Sequence, residues 1–224
     1  MSLSRVAALI AALALPALAS ADSPFNGKNI DNWKAKHPDK GKWVVGKAGV
    51  DAKSANKLAD LGGGSDLINL QPGSDLFTDE KYGDCTVEVE FMVPKGSNSG
   101  IYLMGEYEVQ ILDSYGKAND KLTQGDLGAL YSAAAPNVNA ARAPGAWQKF
   151  VIEFQAPKFE GDKKVANAKF IKVTLNDVVL HENVEMKMQT PGGLTGKEMP
   201  DGPLMFQGDH GPVAFRNIKV TPRK

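Results

Sequence analysis

The 224-residue chain has one cysteine, Cys85, and three histidines. A lone cysteine excludes an intrachain disulfide, so the core must hold without covalent staples. No cation stands beside Cys85 to depress its pKa, which favours a small buried hydrophobe over a nucleophile. An excess of positive charge is missing as well: 26 Lys and Arg face 26 Asp and Glu. That balance excludes the basic stripe that nucleic acid or an anionic membrane surface requires. Long apolar runs are also lacking. A bilayer span needs roughly 20 apolar residues, and the longest run, Val6 to about Leu18, falls short.

That run has a pattern of its own. Arg5 precedes it and Ala19-Ser20-Ala21 follows, the small-x-small site that a signal peptidase cuts. Residues 1–21 therefore read as a signal peptide, with the mature chain starting at Asp22 and exported to a periplasmic or secreted location. No cysteine stands at the cleavage point to accept a lipid. Residues 22–224 are long enough for one domain with a substantial core.

Helical periodicity is nearly absent from the mature chain. Short alternating segments recur instead between Gly, Pro, Asn and Asp clusters, which predicts an all-β sandwich of two antiparallel sheets. Strands are expected over Cys85–Val93, Lys149–Gln155, Phe170–Leu175 and Val178–Leu180, the last two joined by a tight Asn176-Asp177 turn. Val213–Val220 closes a sheet near the N-terminal strand, and Leu67–Leu70 adds a short one. Three stretches break the pattern, the first being Gly62-Gly63-Gly64, a flexible turn whose lack of side chains suits positive φ. Residues 114–146 carry only a brief strand at Leu127–Tyr131, and Pro191–Gly202 forms a second long connection. Long loops in a compact β domain carry function or are plain surface excursions.

The run SNSGIYLMGEYEVQILDSYG, Ser97–Gly116, carries the chemistry. As a central strand it puts Ile101, Leu103, Tyr107, Val109 and Ile111 on a core face. Tyr102, Met104, Glu106, Glu108, Gln110 and Leu112 fall on the other. Two carboxylates and an amide then stand in a row, each step roughly 7 Å. Like charges at that spacing raise one pKa on a partly dry face, and paired carboxylates roughly 5 to 9.5 Å apart serve glycosidases. A solvated outer face fits the same pattern, as Glu88 and Glu90 show on an ordinary strand.

A second cluster, Gly202–Val220, turns Leu204 and Phe206 inward and puts Met205, Gln207 and Asp209 on the opposite face. His210 follows, before the rigid Gly211-Pro212 turn. An imidazole beside a carboxylate can be held in one tautomer as base or metal ligand, or can be a surface-turn residue. His37 and His181 lie in polar surroundings, structural or exposed. Trp147 at a strand entry could stack on a sugar ring or pack in the core. Arg216 and Asn217 could reach a ligand or bridge to a surface carboxylate.

These motifs resemble the 3-keto-disaccharide hydrolase family. The likeness runs from FNGKNIDNWK through SNSGIYLMGEYEVQILDSYG and GALYSAAAPNVNAARAPGAWQKF to QGDHGPVAFRNIKV, nearly the whole mature chain. The resemblance implies a concanavalin A-like jelly-roll sandwich, of the lectin and glucanase kind, and activity as a hydrolase or lyase on 3-keto-glycosides or 3-keto-disaccharides. Two positions depart from the family. It commonly has Arg where Met104 stands and a polar residue where Ala146 stands, and losing a cation near Glu106 and Glu108 removes a partner for substrate oxygens.

A ketone at C3 acidifies the C2 hydrogen. Its abstraction gives an enolate, the C1–O bond then breaks by β-elimination, and hydration of the glycal completes hydrolysis. The route needs a base, an enolate stabiliser and an acid for the leaving group. By the resemblance, Glu108 or His210 is the base and Glu106 a supporting residue or the acid. Gln110, Tyr102, Trp147, Gln207, Asp209 and Arg216 are candidates for binding the sugar. A divalent metal ion could serve the enolate, with Glu108, Asp209 and His210 as its ligands; no cofactor is otherwise implied. The expected partner is a small carbohydrate. A non-catalytic, lectin-like module of the cell envelope and a structural envelope domain are the competing classes.

Overall fold

The computed structural model describes residues 20–223. Residues 1–19, which hold most of the expected signal peptide, lie outside the described residues. Among the described residues no helix is long and apolar enough to cross a membrane.

The chain forms β1 (Trp33–Ala35), β2 (Trp43–Gly46), β3 (Ala48–Asp51), β4 (Ser54–Asp60), β5 (Asp66–Asn69), β6 (Leu76–Tyr82), β7 (Cys85–Met92) and β8 (Asn98–Leu103). There follow β9 (Tyr107–Leu112), β10 (Gln148–Gln155), β11 (Lys158–Glu160), β12 (Lys163–Ala166), β13 (Ala168–Leu175), β14 (Val178–Met186), β15 (Gly202–Phe206) and β16 (Val213–Pro222). Five strands make one sheet in the order β1-β6-β15-β8-β9, and seven make the other, β14-β13-β10-β7-β16-β5-β2. All pairings are antiparallel. The fold is a jelly-roll sandwich.

Alternation explains the core between the sheets. Cys85, Val87, Val89 and Phe91 of β7 point inward, as do Phe150, Ile152 and Phe154 of β10 and Ile101, Leu103, Tyr107, Val109 and Ile111 of the β8–β9 hairpin. Stacked rings join the sheets where Phe206 lies 3.9 Å from Phe215, centroid to centroid, and within the five-stranded sheet Trp33 stacks on Phe206 in turn. Such pairs add about 0.5–1.5 kcal/mol each beyond their burial. Cys85 is buried at a strand start, and burial pushes its thiol up to about 12. A second apolar cluster lies on the outer face of the seven-stranded sheet, where the β3–β4 hairpin covers Ile68, Met92 and Ala214.

The Ser97–Gly116 run is not one central strand. Met104 and Gly105 both adopt left-handed backbone, with φ of 57° and 70°, and fold it into a hairpin. Leu103 then faces Tyr107, Tyr102 faces Glu108 and Gly100 faces Gln110. Even-numbered residues still meet even-numbered ones, so the two faces survive the turn although the straight row does not. β9 is the outermost strand of its sheet. Its free edge is covered by residues 128–131: Gly128 N–H donates to Gln110 O (2.8 Å) and Gln110 N–H to Ala129 O (2.9 Å). The strand expected at Leu127–Tyr131 is reduced to isolated bridges at Leu130. His181 is buried rather than in polar surroundings, its Nε2 2.9 Å from Gly128 O.

Candidate functional site

On the outer face of the five-stranded sheet lies a hollow of about 170 Å³, lined by Asn98, Tyr102, Glu108, Gln110, Tyr131, Pro191, Gly192, Gln207 and His210. Strands β8 and β9 supply its floor, the end of β15 one side, and the two long loops the remaining walls. A larger groove of about 590 Å³, bordered by Asp22, Tyr82 and Asp84, contains no histidine.

Glu108 is the chemically unusual group. It is only 2% exposed, and its Oε1 has no hydrogen-bond partner. Burial pushes its carboxyl up to about 8; the adjacent Tyr102 hydroxyl opposes the rise, and the charges of Asp75 and Asp209 add to it. Room for the side chain comes from across the hairpin. A Cβ on Gly100 would overlap Glu108 Oε1, so only glycine leaves the carboxylate where it stands.

Tyr102, 1% exposed, is pushed up by burial and by neighbouring carboxylates, so its hydroxyl keeps its proton. Gln207 Nε2 stands 3.4 Å from that hydroxyl, and Gln207 Oε1 is a second buried acceptor without a partner. Gln110 Nε2 donates to Asn98 Oδ1 at 3.1 Å. Two unpartnered buried acceptors beside a phenol suit a ligand that brings hydroxyl donors.

His210 stands at the rim, half exposed, with Nδ1 hydrogen-bonded to Asp209 Oδ1. That contact leaves Nε2 free for proton transfer. Its turn is held from beneath by Asn69, whose Nδ2 donates to Gly208 O (2.8 Å) and Gly211 O (3.0 Å). Asp75 is buried beside it, accepting from Gly208 N–H at 3.0 Å, and its carboxyl is pushed up chiefly by burial. Lys36 Nζ lies 3.5 Å from Asp75.

Glu108, Gln110, Tyr102, Gln207 and His210 are thus brought together, with Asp209 behind the imidazole. Glu106 is buried in the hairpin turn, and its carboxylate points to Thr195 and Gly196 instead of the hollow. Trp147 and Arg216 are on the far side of the sandwich. The Arg216 guanidinium lies 4.0 Å over the Trp147 ring and pairs with Glu90, while Trp147 packs on the outer apolar cluster. Glu108, Asp209 and His210 do not form a metal centre: among the described residues no three His, Cys, Asp or Glu side chains cluster as a ligand set. Asp209 is taken up by His210 at the surface while Glu108 lies buried below. Met104 lines a separate groove with Leu194 and Pro203.

Sequence reasoning missed Asn98, Tyr131, Asp75 and the Pro191-Gly192 wall. Asn98 shares the parity of Tyr102 and was legible. Tyr131 arrives through Tyr131 N–H donating to Glu108 O (3.2 Å), a loop contact without a periodic signal.

A family model described as a 3-keto-alpha-glucoside-1,2-lyase-like domain matches residues 20–221. The fold is similar to crystal structures of candidate glycosyl hydrolases from Parabacteroides distasonis. One is 24% identical with a TM-score of 0.63, covering 96% of this chain and 94% of the other. A second is 17% identical with a TM-score of 0.61, covering 91% and 94%. At that identity the likeness carries the fold alone. No curated protein matches the chain.

Proposed function

We propose that this chain, which belongs to the 3-keto-alpha-glucoside-1,2-lyase-like domain family, cleaves 3-keto-glycosides by removing the C2 proton with Glu108. Membership makes the coarse function carbohydrate-related; the reaction is our reading. The observation that carries it is one carboxylate, 2% exposed, raised to about 8 by burial, with an unpartnered oxygen in a sugar-sized hollow. A base is most effective when its pKa lies near the working pH.

In this reading Glu108 takes the C2 hydrogen as a proton, and the C–H electrons form the enolate between C2 and C3. The Tyr102 hydroxyl donates to the developing O3 charge; fixed donors in a dry site stabilise such charge strongly. The enolate collapses, C1=C2 forms and the C1–O bond breaks. His210, at the open rim, gives a proton to the departing alkoxide, with Asp209 orienting the ring through Nδ1. Addition of water across C1=C2 completes hydrolysis. Gln207 Oε1 and Asn98 accept sugar hydroxyls, and Tyr131 offers a ring for the sugar face. Export through the signal peptide, to the periplasm or outside, belongs to the same reading.

The test is turnover of a chromogenic 3-keto-glucoside by the wild type, Glu108→Gln and His210→Ala. The reading expects loss of at least about a hundredfold in kcat for Glu108→Gln with the fold intact. Binding without turnover in the wild type would replace it with a lectin-like module.

A further inference from the structure

Glu106 has the repeated acidic pattern of a catalytic residue but none of the exposure. Its side chain is 3% exposed, and both oxygens are engaged. Oε1 accepts from Thr195 N–H and Thr195 Oγ1–H, each 2.7 Å away, and Oε2 accepts from Gly196 N–H at 3.1 Å. A buried carboxylate with three donors is a strong, directional anchor. The backbone of the same residue holds the other end of that loop. Glu106 O accepts from Thr190 N–H and Thr190 Oγ1–H, both at 3.0 Å. Between the two anchors run Pro191 and Gly192, which wall the hollow.

The loop has little freedom to settle elsewhere. A Cβ on Gly193 would overlap Glu106 Oε2, so the chain passes directly against the carboxylate. Gly105 O takes Leu194 N–H at 2.7 Å, and Lys36 Nζ donates to Gly193 O at 3.3 Å. The hairpin turn of β8–β9 therefore carries both the wall, through Glu106, and the base, two residues on at Glu108.

We infer that Glu106 is a positioning residue: its carboxylate clamps Thr195 and Gly196 so that Pro191 and Gly192 close one side of the sugar hollow over Tyr102 and Glu108. The inference rests on the proposed 3-keto-glycoside reading for its substrate, and on the anchoring geometry for everything else. A wall formed before the sugar arrives spares the ordering cost at binding, so the clamp acts on affinity.

Glu106→Gln keeps the size but sets an amide donor against backbone donors. With a chromogenic 3-keto-glucoside, KM is expected to rise about tenfold, with kcat changed less than about threefold. The rise of kcat/KM toward the Glu108 pKa stays where it was. Thr195→Val, which removes one donor and leaves Glu106 in place, moves KM the same way by a smaller factor. Amide hydrogen exchange at Thr195 and Gly196 accelerates in Glu106→Gln. A kcat loss of a hundredfold at unchanged KM, or a displaced pH profile, would overturn the inference by making Glu106 act on reacting atoms. Unchanged exchange at Thr195 and Gly196 would overturn it independently of any activity. Absence of turnover in the wild type sinks the proposed reaction and leaves the exchange result to decide the clamp.

Discussion

Glu108 Oε1 occupies the space directly over Gly100, on the neighbouring strand of the β8–β9 hairpin, where any side chain would collide with it. The glycine of SNSGIY is thus a condition for the buried carboxylate. Gly100→Ala is expected to displace the Glu108 side chain while the strand pairing persists. Turnover of a 3-keto-glucoside should fall by about a hundredfold or more, since an ångström-scale misplacement costs that much. Circular dichroism would check that the sheets remain.

The raised Glu108 pKa sets two pH dependences. The unfolded carboxyl titrates near 4.5 and the folded one near 8. Between those values the folded chain keeps a proton that the unfolded chain has released. Stability from this group is therefore full below pH 4.5 and lost as pH rises through about 8. Thermal melts of Glu108→Gln should lack this loss, so the variant gains on the wild type at alkaline pH. For activity the direction reverses on the acidic side: a base must be ionised, so kcat/KM is expected to climb with pH toward about 8. The need for a protonated acid at the leaving group brings it down again at higher pH.

Arg216 and Trp147 offer the opposite case. Both stand behind the seven-stranded sheet, so Arg216→Ala should leave kcat/KM within about twofold and cost less than about 1 kcal/mol, as for a surface ion pair. Denaturant titration and steady-state kinetics would show it.

His181 carries a structural prediction. It is 3% exposed, burial lowers its pKa, and it holds Gly128 O, whose residue covers the edge of β9 at Gln110. His181→Ala leaves both a cavity and an unpaired carbonyl, and should cost about 2–4 kcal/mol in urea unfolding. In the wild type the neutral ring favours folding above pH 6.5, and that contribution fades as pH falls below it.

Much of the sandwich was legible because alternation records burial on one face. Cys85–Val93, Lys149–Gln155 and the Asn176-Asp177 hairpin lie where period two puts them, and the two turn residues have φ of 52° and 68°. The polar strands β4 and β6 gave no such signal, because few of their residues are buried. Glu108 and Gln110 were legible from parity on one strand and Gln207 from parity on another, whereas His210 was legible only from its place beside Asp209 at a strand end. Glu106 was misjudged because parity tells the face but not the partner, and its partner comes from a loop about 90 residues away. Trp147 and Arg216 carry chemistry that suits a sugar, yet which sheet face they occupy depends on the tertiary pairing of β16 with β7. The metal set failed for a similar reason: Glu108 is buried in the hairpin, while Asp209 and His210 pair with each other at the rim.

The central claim is proton removal from C2 by Glu108, and isotopic labelling at that carbon tests it most directly. A 3-keto-glucoside carrying deuterium at C2 should be cleaved more slowly than its protiated form, with the C2 label released to solvent and both effects lost with the activity in Glu108→Gln. Cleavage at equal rates with the C2 label retained in the product would contradict the account.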